Sequence, residues 1–297
     1  MQGDLFLYDK ESLLAAFESH LPFEPFGTVI FIGGLTDGFM TCPIVDHLAP
    51  ILAEKGVSLV QFVMSSSYRQ FGTSSLAQDC TELCKLIEYL QAERGRKKLF
   101  LLGHSTGCQD IFWYLKAGIK EEHCVYGANV QAPVSDRDFI FWYAPEMAER
   151  ALSTAKELID SNQSDHLLRI MFDRIPMTAY RANSLYSRLG DDDFFSADLT
   201  VAECKEKFPG LPKDHPTFKS FNFSFSLNDE YVPDTIMGES RDGRISVLIE
   251  KLIQCYPFTR EPIILPGNHN LSSNLASMKE FCQRILSEVE DTFCMTE

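Results

Sequence analysis

The run Gly103-His104-Ser105-Thr106-Gly107 sets a serine between two glycines, with the apolar stretch Lys98-Leu99-Phe100-Leu101-Leu102 before it and a helical pattern, Cys108 to Leu115, after it. A Gly-x-Ser-x-Gly motif between strand and helix exposes a nucleophilic hydroxyl on a sharp turn. The small residues two before and two after relieve crowding, and the following helix aims its N-terminal dipole at the serine. A serine hydroxyl is a weak nucleophile, so a base must take its proton and a carboxylate must orient that base. Both follow Ser105 in the order such a serine requires, acid then histidine. His269 lies in Leu265-Pro266-Gly267-Asn268-His269-Asn270-Leu271, a loop between an apolar strand and the last helix. Asp229 follows Phe225-Ser226-Leu227-Asn228, at the C-terminal end of a strand, where ligands meet open parallel sheets. Glu230 is the neighbouring alternative for the acid, and Asp136 and Asp138 are the positional alternatives after the preceding strand. The chemistry implied is acyl transfer: Ser105 attacks an acyl carbon, His269 shuttles the proton, and water releases the acid.

The tetrahedral intermediate needs backbone donors for its oxyanion, each worth about 3 to 4 kcal/mol. The amide of Thr106 is one. The other is expected from Leu35, in the glycine turn Gly33-Gly34-Leu35-Thr36-Asp37-Gly38 after the first strong strand. Gly34, His104, Trp142 and Phe194 are the expected substrate-binding residues, with Phe139, Phe141, Tyr143 and Phe195 as further aromatics that could line a pocket. Tyr68 and Arg69 lie in a loop after the second strand and are further candidates for its wall.

Short apolar runs and amphipathic stretches alternate to position these groups. Thr28 to Ile32, Ser58 to Met64 and Lys98 to Leu102, separated by helical patterns, read as βαβαβ and hence a parallel sheet. In the first helix Pro43 suits the first turn, Ile44, Leu48, Ile51 and Leu52 share a face, and Gly56 takes the left-handed cap. The second runs around Leu83 to Leu90. Further strands are expected at Cys124 to Val130, Asn222 to Leu227 and Pro262 to Leu265, and a last helix places Leu275, Met278, Cys282, Ile285 and Val289 on one face. Between about Val134 and Phe218 the strand rhythm gives way to aromatic-rich helical patterns, including Met147, Ala151, Ala155, Leu158 and Ile159. This reads as a cap inserted into a single domain spanning residues 1–297.

The 27 basic and 42 acidic residues give a formal net charge of −15, which repels nucleic acid and anionic membranes. A neutral or cationic small molecule remains compatible. The N-terminus shows neither the basic nor the apolar region of a signal peptide, and no apolar run reaches membrane-spanning length. Nine scattered cysteines without Cys-x-x-Cys spacing, including Cys80, Cys84, Cys108 and Cys282 in helical patterns, favour reduced thiols and a cytoplasmic setting. No metal site and no cofactor is expected, because closely spaced Cys and His pairs and a phosphate-loop lysine are both missing. Asp191-Asp192-Asp193 reads as a solvated turn.

Taken together, Gly33 to Gly38, Gly103 to Gly107, Asn228 to Pro233, Gly267-Asn268-His269, and Ala179-Tyr180-Arg181 through Gly190 to Ser196 resemble the α/β-hydrolases. Within them they are similar to a group of largely unassigned function that includes fungal siderophore esterases. The resemblance covers nearly the whole chain and implies an α/β-hydrolase fold, a mostly parallel doubly wound sheet with a helical cap. It also implies a triad of Ser105, Asp229 and His269 and an oxyanion hole from Leu35 and Thr106. The expected function is an esterase acting on a small-molecule ester, with thioester or lactone presenting the same carbonyl. The alternative is a ligand-binding sensor on the same scaffold with slow or no turnover. A pure interaction scaffold fits poorly with a complete triad. Oligomeric state is not legible.

Overall fold

The structure, a computed structural model, describes residues 1–294 apart from 169–174, 209, 213 and 234–240, and omits the side chains of 241–247. In chain order the elements are β1 (Gly3–Asp9), β2 (Leu14–Ser19), β3 (Gly27–Ile32), α1 (Pro43–Ala53), β4 (Val57–Phe62), α2 (Leu76–Ala92), β5 (Leu99–His104), α3 (Gly107–Trp113) and β6 (Val125–Gln131). There follow α4 (Asp136–Tyr143), α5 (Pro145–Asp160), α6 (Ala179–Tyr186), α7 (Val201–Lys207), β7 (Ser220–Ser226), α8 (Arg241–Cys255), β8 (Ile263–Leu265) and α9 (Leu275–Cys294).

The eight strands form one sheet in the order β1-β2-β4-β3-β5-β6-β7-β8. From β4 to β8 all neighbours are parallel, while β1 and β2 add an antiparallel edge. Successive side chains of a strand point to opposite faces, and the core divides accordingly. Ile30, Ile32, Leu99 and Leu101 pack on one face with residues of α2, α3 and α8. Val29, Phe31, Phe100 and Leu102 pack on the other with α1 and α9. Because α1 and α2 cover opposite faces, the chain reverses its winding at β3, and the crevice between the C-terminal ends of β3 and β5 is a topological switch point. The loop Gly33 to Gly38 and the serine turn both stand at that crevice.

The helices arise where the sequence placed them. Pro43 opens α1, whose buried face is Ile44, Val45, Leu48, Ala49 and Leu52, and Gly56 adopts φ +72°. Ser75 caps α2 by accepting from the Gln78 amide. The hairpin β1-β2 and helix α8 lie outside the periodic segments read above. Leu5, Leu7 and Leu13 are exposed on the edge hairpin, so its apolar residues do not report a buried face.

Between β6 and β7 the chain carries α4 to α7. A separate apolar cluster, including Ile140, Ala151, Ala155, Met177, Ala182 and Leu185, joins α4, α5 and α6 to each other and to Phe71. The expected cap boundaries enclose residues 169–174, 209 and 213, which lie outside the described residues. Among the described residues no helix is long and apolar enough to cross a membrane.

Candidate active site

Ser105 sits between β5 and α3 with φ +55°, a left-handed conformation that costs a non-glycine residue roughly 1–3 kcal/mol. The surrounding structure enforces it. Its amide donates to Gln131 O (3.0 Å), and its carbonyl accepts from the Cys108 amide (2.9 Å). The flanking glycines are required by close approach. A Cβ on Gly107 would lie 2.2 Å from Ile32 O, and one on Gly103 would lie 2.5 Å from Gly107 O. The turn is thereby pressed against β3 and the start of its own helix.

Across the crevice, the Asp37 carboxylate accepts from the Gly34 amide (2.8 Å) and from the Thr41 hydroxyl (2.9 Å). This closes the loop after β3 over the serine. Among the described residues no acceptor takes the Leu35 or Thr106 amide. Both expected oxyanion donors therefore keep their N–H groups for another partner.

His269 and Asp229 come together as expected: His269 Nδ1 meets Asp229 Oδ2 at 2.7 Å, with both side chains buried. Asp229 is held in turn by the Tyr231 amide (3.0 Å). Glu230, the neighbouring alternative, instead accepts from the main-chain amide of His269 (2.8 Å). Asp138 accepts from the Ala197 amide (2.7 Å), and Asp136 accepts from the Gln109 side-chain amide (2.9 Å). Burial alone would lower the His269 pKa, but the Asp229 carboxylate, with smaller help from Glu230 and Asp37, holds it above the ordinary imidazole value.

His104 lies under this pair, its ring 4.8 Å from that of His269. Its Nδ1 meets Gln131 Oε1 at 2.5 Å, and burial, reinforced by His269, pushes its pKa down to about 4. Because an amide oxygen only accepts, His104 is a neutral imidazole donating from Nδ1. The Gln131 amide nitrogen then donates to His269 O (2.9 Å). Gln131 thus links the serine turn, His104 and the His269 loop, a role the sequence reading missed. Its trace there is a polar residue closing an apolar strand.

Ser105, His104, His269, Gly34 and Leu35 line one cavity of about 520 Å³, a volume typical of small-molecule sites. Phe139 and Tyr143 also line it, but other expected wall residues do not. Phe194 is a correction: it is fully buried in the main core against Phe112 (5.3 Å between ring centres), with the Lys207 ammonium 4.7 Å from its ring. Phe195 packs beside it. Trp142 is 40 % exposed and does not line the cavity, its ring 6.1 Å from that of Phe139. Tyr68 and Arg69 are exposed, and the Tyr68 hydroxyl accepts from the Phe39 amide instead.

Beneath the cavity lies a buried charge cluster absent from the sequence reading. Arg181, fully enclosed, donates to Asp192 Oδ2 (2.6 Å) and Phe71 O (2.9 Å), and Ser184 donates to the same Asp192 oxygen (2.6 Å). Burial pushes the Asp79 carboxyl up to about 7 and Asp110 well above the usual carboxylate range, although Arg181 opposes both. Asp110, Thr106 and Arg181 border a second void of about 30 Å³, near the volume of one water molecule. The turn Asp191-Asp192-Asp193 is accordingly not solvated at its last two members, which are buried. Asp193 accepts from the Leu189 amide and pairs with Ser196, and Asp191 accepts from the Tyr180 hydroxyl.

A family model described as protein of unknown function (DUF1749) matches residues 2–290. A UPF0613 protein of Schizosaccharomyces pombe is 34% identical over 200 residues, covering 62% of this chain and 61% of its own length. The chain thus spans less than two thirds of that relative. Fusarinine C esterase sidJ of Aspergillus fumigatus is 27% identical over 268 residues, covering 73% of this chain and 76% of its own. Siderophore hydrolase EstB from Aspergillus fumigatus superposes with a TM-score of 0.79 at 24% identity, covering 98% of this chain and 97% of its own. The fold is that of the α/β-hydrolases, as the resemblance implied.

Proposed function

The chain belongs to the DUF1749 family, and we propose that it is a serine hydrolase cleaving a carboxylic ester of a small molecule through an acyl-enzyme. One observation carries this reading: His269, joined to Asp229 at 2.7 Å, opens on the same cavity as a serine held at φ +55°. Ser105 Oγ attacks the ester carbonyl carbon and its proton passes to His269 Nε2, the lone pair left when Nδ1–H is committed to Asp229. The amides of Leu35 and Thr106 receive the oxyanion. Collapse of the tetrahedral intermediate breaks the bond to the alcohol, which leaves with the proton from His269. Water then repeats the sequence on the acyl group, releasing the acid and restoring Ser105.

The helices between β6 and β7 serve as the cap, with Phe139 and Tyr143 of α4 and Leu185 and Tyr186 of α6 closing the cavity over the serine. The esterase and siderophore hydrolase names of the relatives support an ester as the bond cleaved. A siderophore ester therefore belongs among the substrates to assay. The test is covalent labelling by a fluorophosphonate probe. Wild-type protein labels and Ser105→Ala does not; equal labelling of the two would overturn the proposal.

A further inference from the structure

Resting on the reading of this cavity as an ester-hydrolysing site, we propose that its substrate carries a positive charge, a protonated amine or a quaternary ammonium, and that Asp136 is the specificity-determining carboxylate. The cavity wall holds Asp37, Asp136 and Glu230 together with the rings of Phe139, Tyr143 and Tyr231, and among the described residues no lysine or arginine lines it. The rings are grouped: Phe139 lies 4.9 Å from Tyr231 and 5.5 Å from Tyr143. Aromatic faces beside carboxylates are the surroundings that stabilise an organic cation, the rings through their quadrupole and the carboxylates through charge.

Asp136 is the best placed of the three acids, because Asp37 holds the Gly34 amide and the Thr41 hydroxyl and is committed to its own loop. Glu230 is exposed and holds the His269 amide, which commits it to the loop. Asp136 begins α4 in the stretch after β6, is mostly buried, and has its Oδ2 gripped by the Gln109 amide at 2.9 Å, so the carboxyl is oriented before any ligand arrives. An apolar group laid against it would strip its water and return no partner, an unfavourable exchange that a cation reverses. The Arg181 guanidinium is turned to Asp192 and borders the smaller void. Burial and the Asp192 charge push the Asp136 carboxyl up to about 7, with Arg181 and His269 opposing. At a distance, the net charge of −15 draws cations toward the molecule.

The test compares a choline ester with its neutral carbon isostere, the 3,3-dimethylbutyl ester of the same acid. Wild-type kcat/KM is expected to be about tenfold or more higher for the choline ester, and Asp136→Asn brings the ratio toward one. The ratio cancels any loss of folded protein common to both substrates. In the wild type, raising ionic strength lowers kcat/KM for the choline ester alone. Equal kcat/KM for both wild-type reactions, or a ratio unmoved in Asp136→Asn, overturns the inference while leaving the hydrolase reading intact. Binding to Ser105→Ala separates the two ideas from the other side. If fluorophosphonate labels wild type and Ser105→Ala equally but phenyltrimethylammonium binds to Ser105→Ala and not to Ser105→Ala/Asp136→Asn, the charge preference stands and the hydrolase reading falls. Equal labelling together with absence of ammonium binding removes both.

Discussion

Gly34 crosses Ser105 so closely that a methyl group on its α-carbon would lie 2.6 Å from the Ser105 Cβ and 3.1 Å from Oγ. The Gly34 backbone is outside the left-handed region, so alanine there is a steric probe without a conformational penalty. The loop must move away from the serine, and with it the Leu35 amide. Gly34→Ala is therefore expected to lower kcat about 10²- to 10³-fold, the cost of one oxyanion donor, in protein that urea titration shows to be still folded. Steady-state kinetics beside urea titration check this. Full activity in the variant would mean that the loop supplies no donor.

The carboxylate of Asp229 raises the His269 pKa above its ordinary value near 6.5, which gives a signed pH profile. A base works only when neutral, so kcat/KM climbs as pH rises through a pKa above 6.5. In Asp229→Asn the largest upward push is gone, leaving only Glu230 and Asp37 against burial, so the limb moves to lower pH while kcat falls by roughly 10⁴-fold. For stability the same shift has the opposite use. A histidine raised on folding contributes fully below its unfolded pKa, and that contribution is lost as pH rises through the folded one. A pH profile of both proteins checks the direction; a limb that stays in place would remove Asp229 as the orienting group.

The strands from β3 to β8 were legible because each is a short apolar run closed by turn residues, and the serine turn was legible because its glycines are forced by backbone contacts at Ile32 and Gly107. For the acid, Asp229 stood ahead of Glu230, Asp136 and Asp138, and its neighbour Glu230 was hard to set aside for a physical reason. Both carboxylates touch His269, one through the ring and one through the main chain, and only coordinates separate these. Phe194 was misplaced because an aromatic near the cap reads alike whether it faces a cavity or the core, and here Phe112 and Lys207 enclose it. The cluster around Arg181 was invisible for a different reason. Asp79 comes from α2, Asp110 from α3, Asp192 from the turn after α6, and no local pattern announces that folding will bring them to one guanidinium. Charged residues on helices usually read as a solvated face.

That cluster sets a pH dependence of stability that can be isolated at Asp79. Burial raises its carboxyl from 3.8 to about 7, partly offset by Arg181 and by a bond from Ser74 (3.2 Å). The sign runs opposite to that of a salt-bridged aspartate. The native state holds a proton that the unfolded chain has released, so between about pH 4 and pH 7 stability falls as pH rises. Above pH 7 the penalty is complete, of order a few kcal/mol. Asp79→Asn keeps the shape of the neutral acid and cannot ionise. Its unfolding free energy, measured by urea titration at pH 5 and pH 8, should therefore decline less with pH than that of the wild type, with the variant gaining at pH 8. Identical pH slopes for the two proteins would mean that Asp79 stays ionised throughout and that Arg181 neutralises it completely.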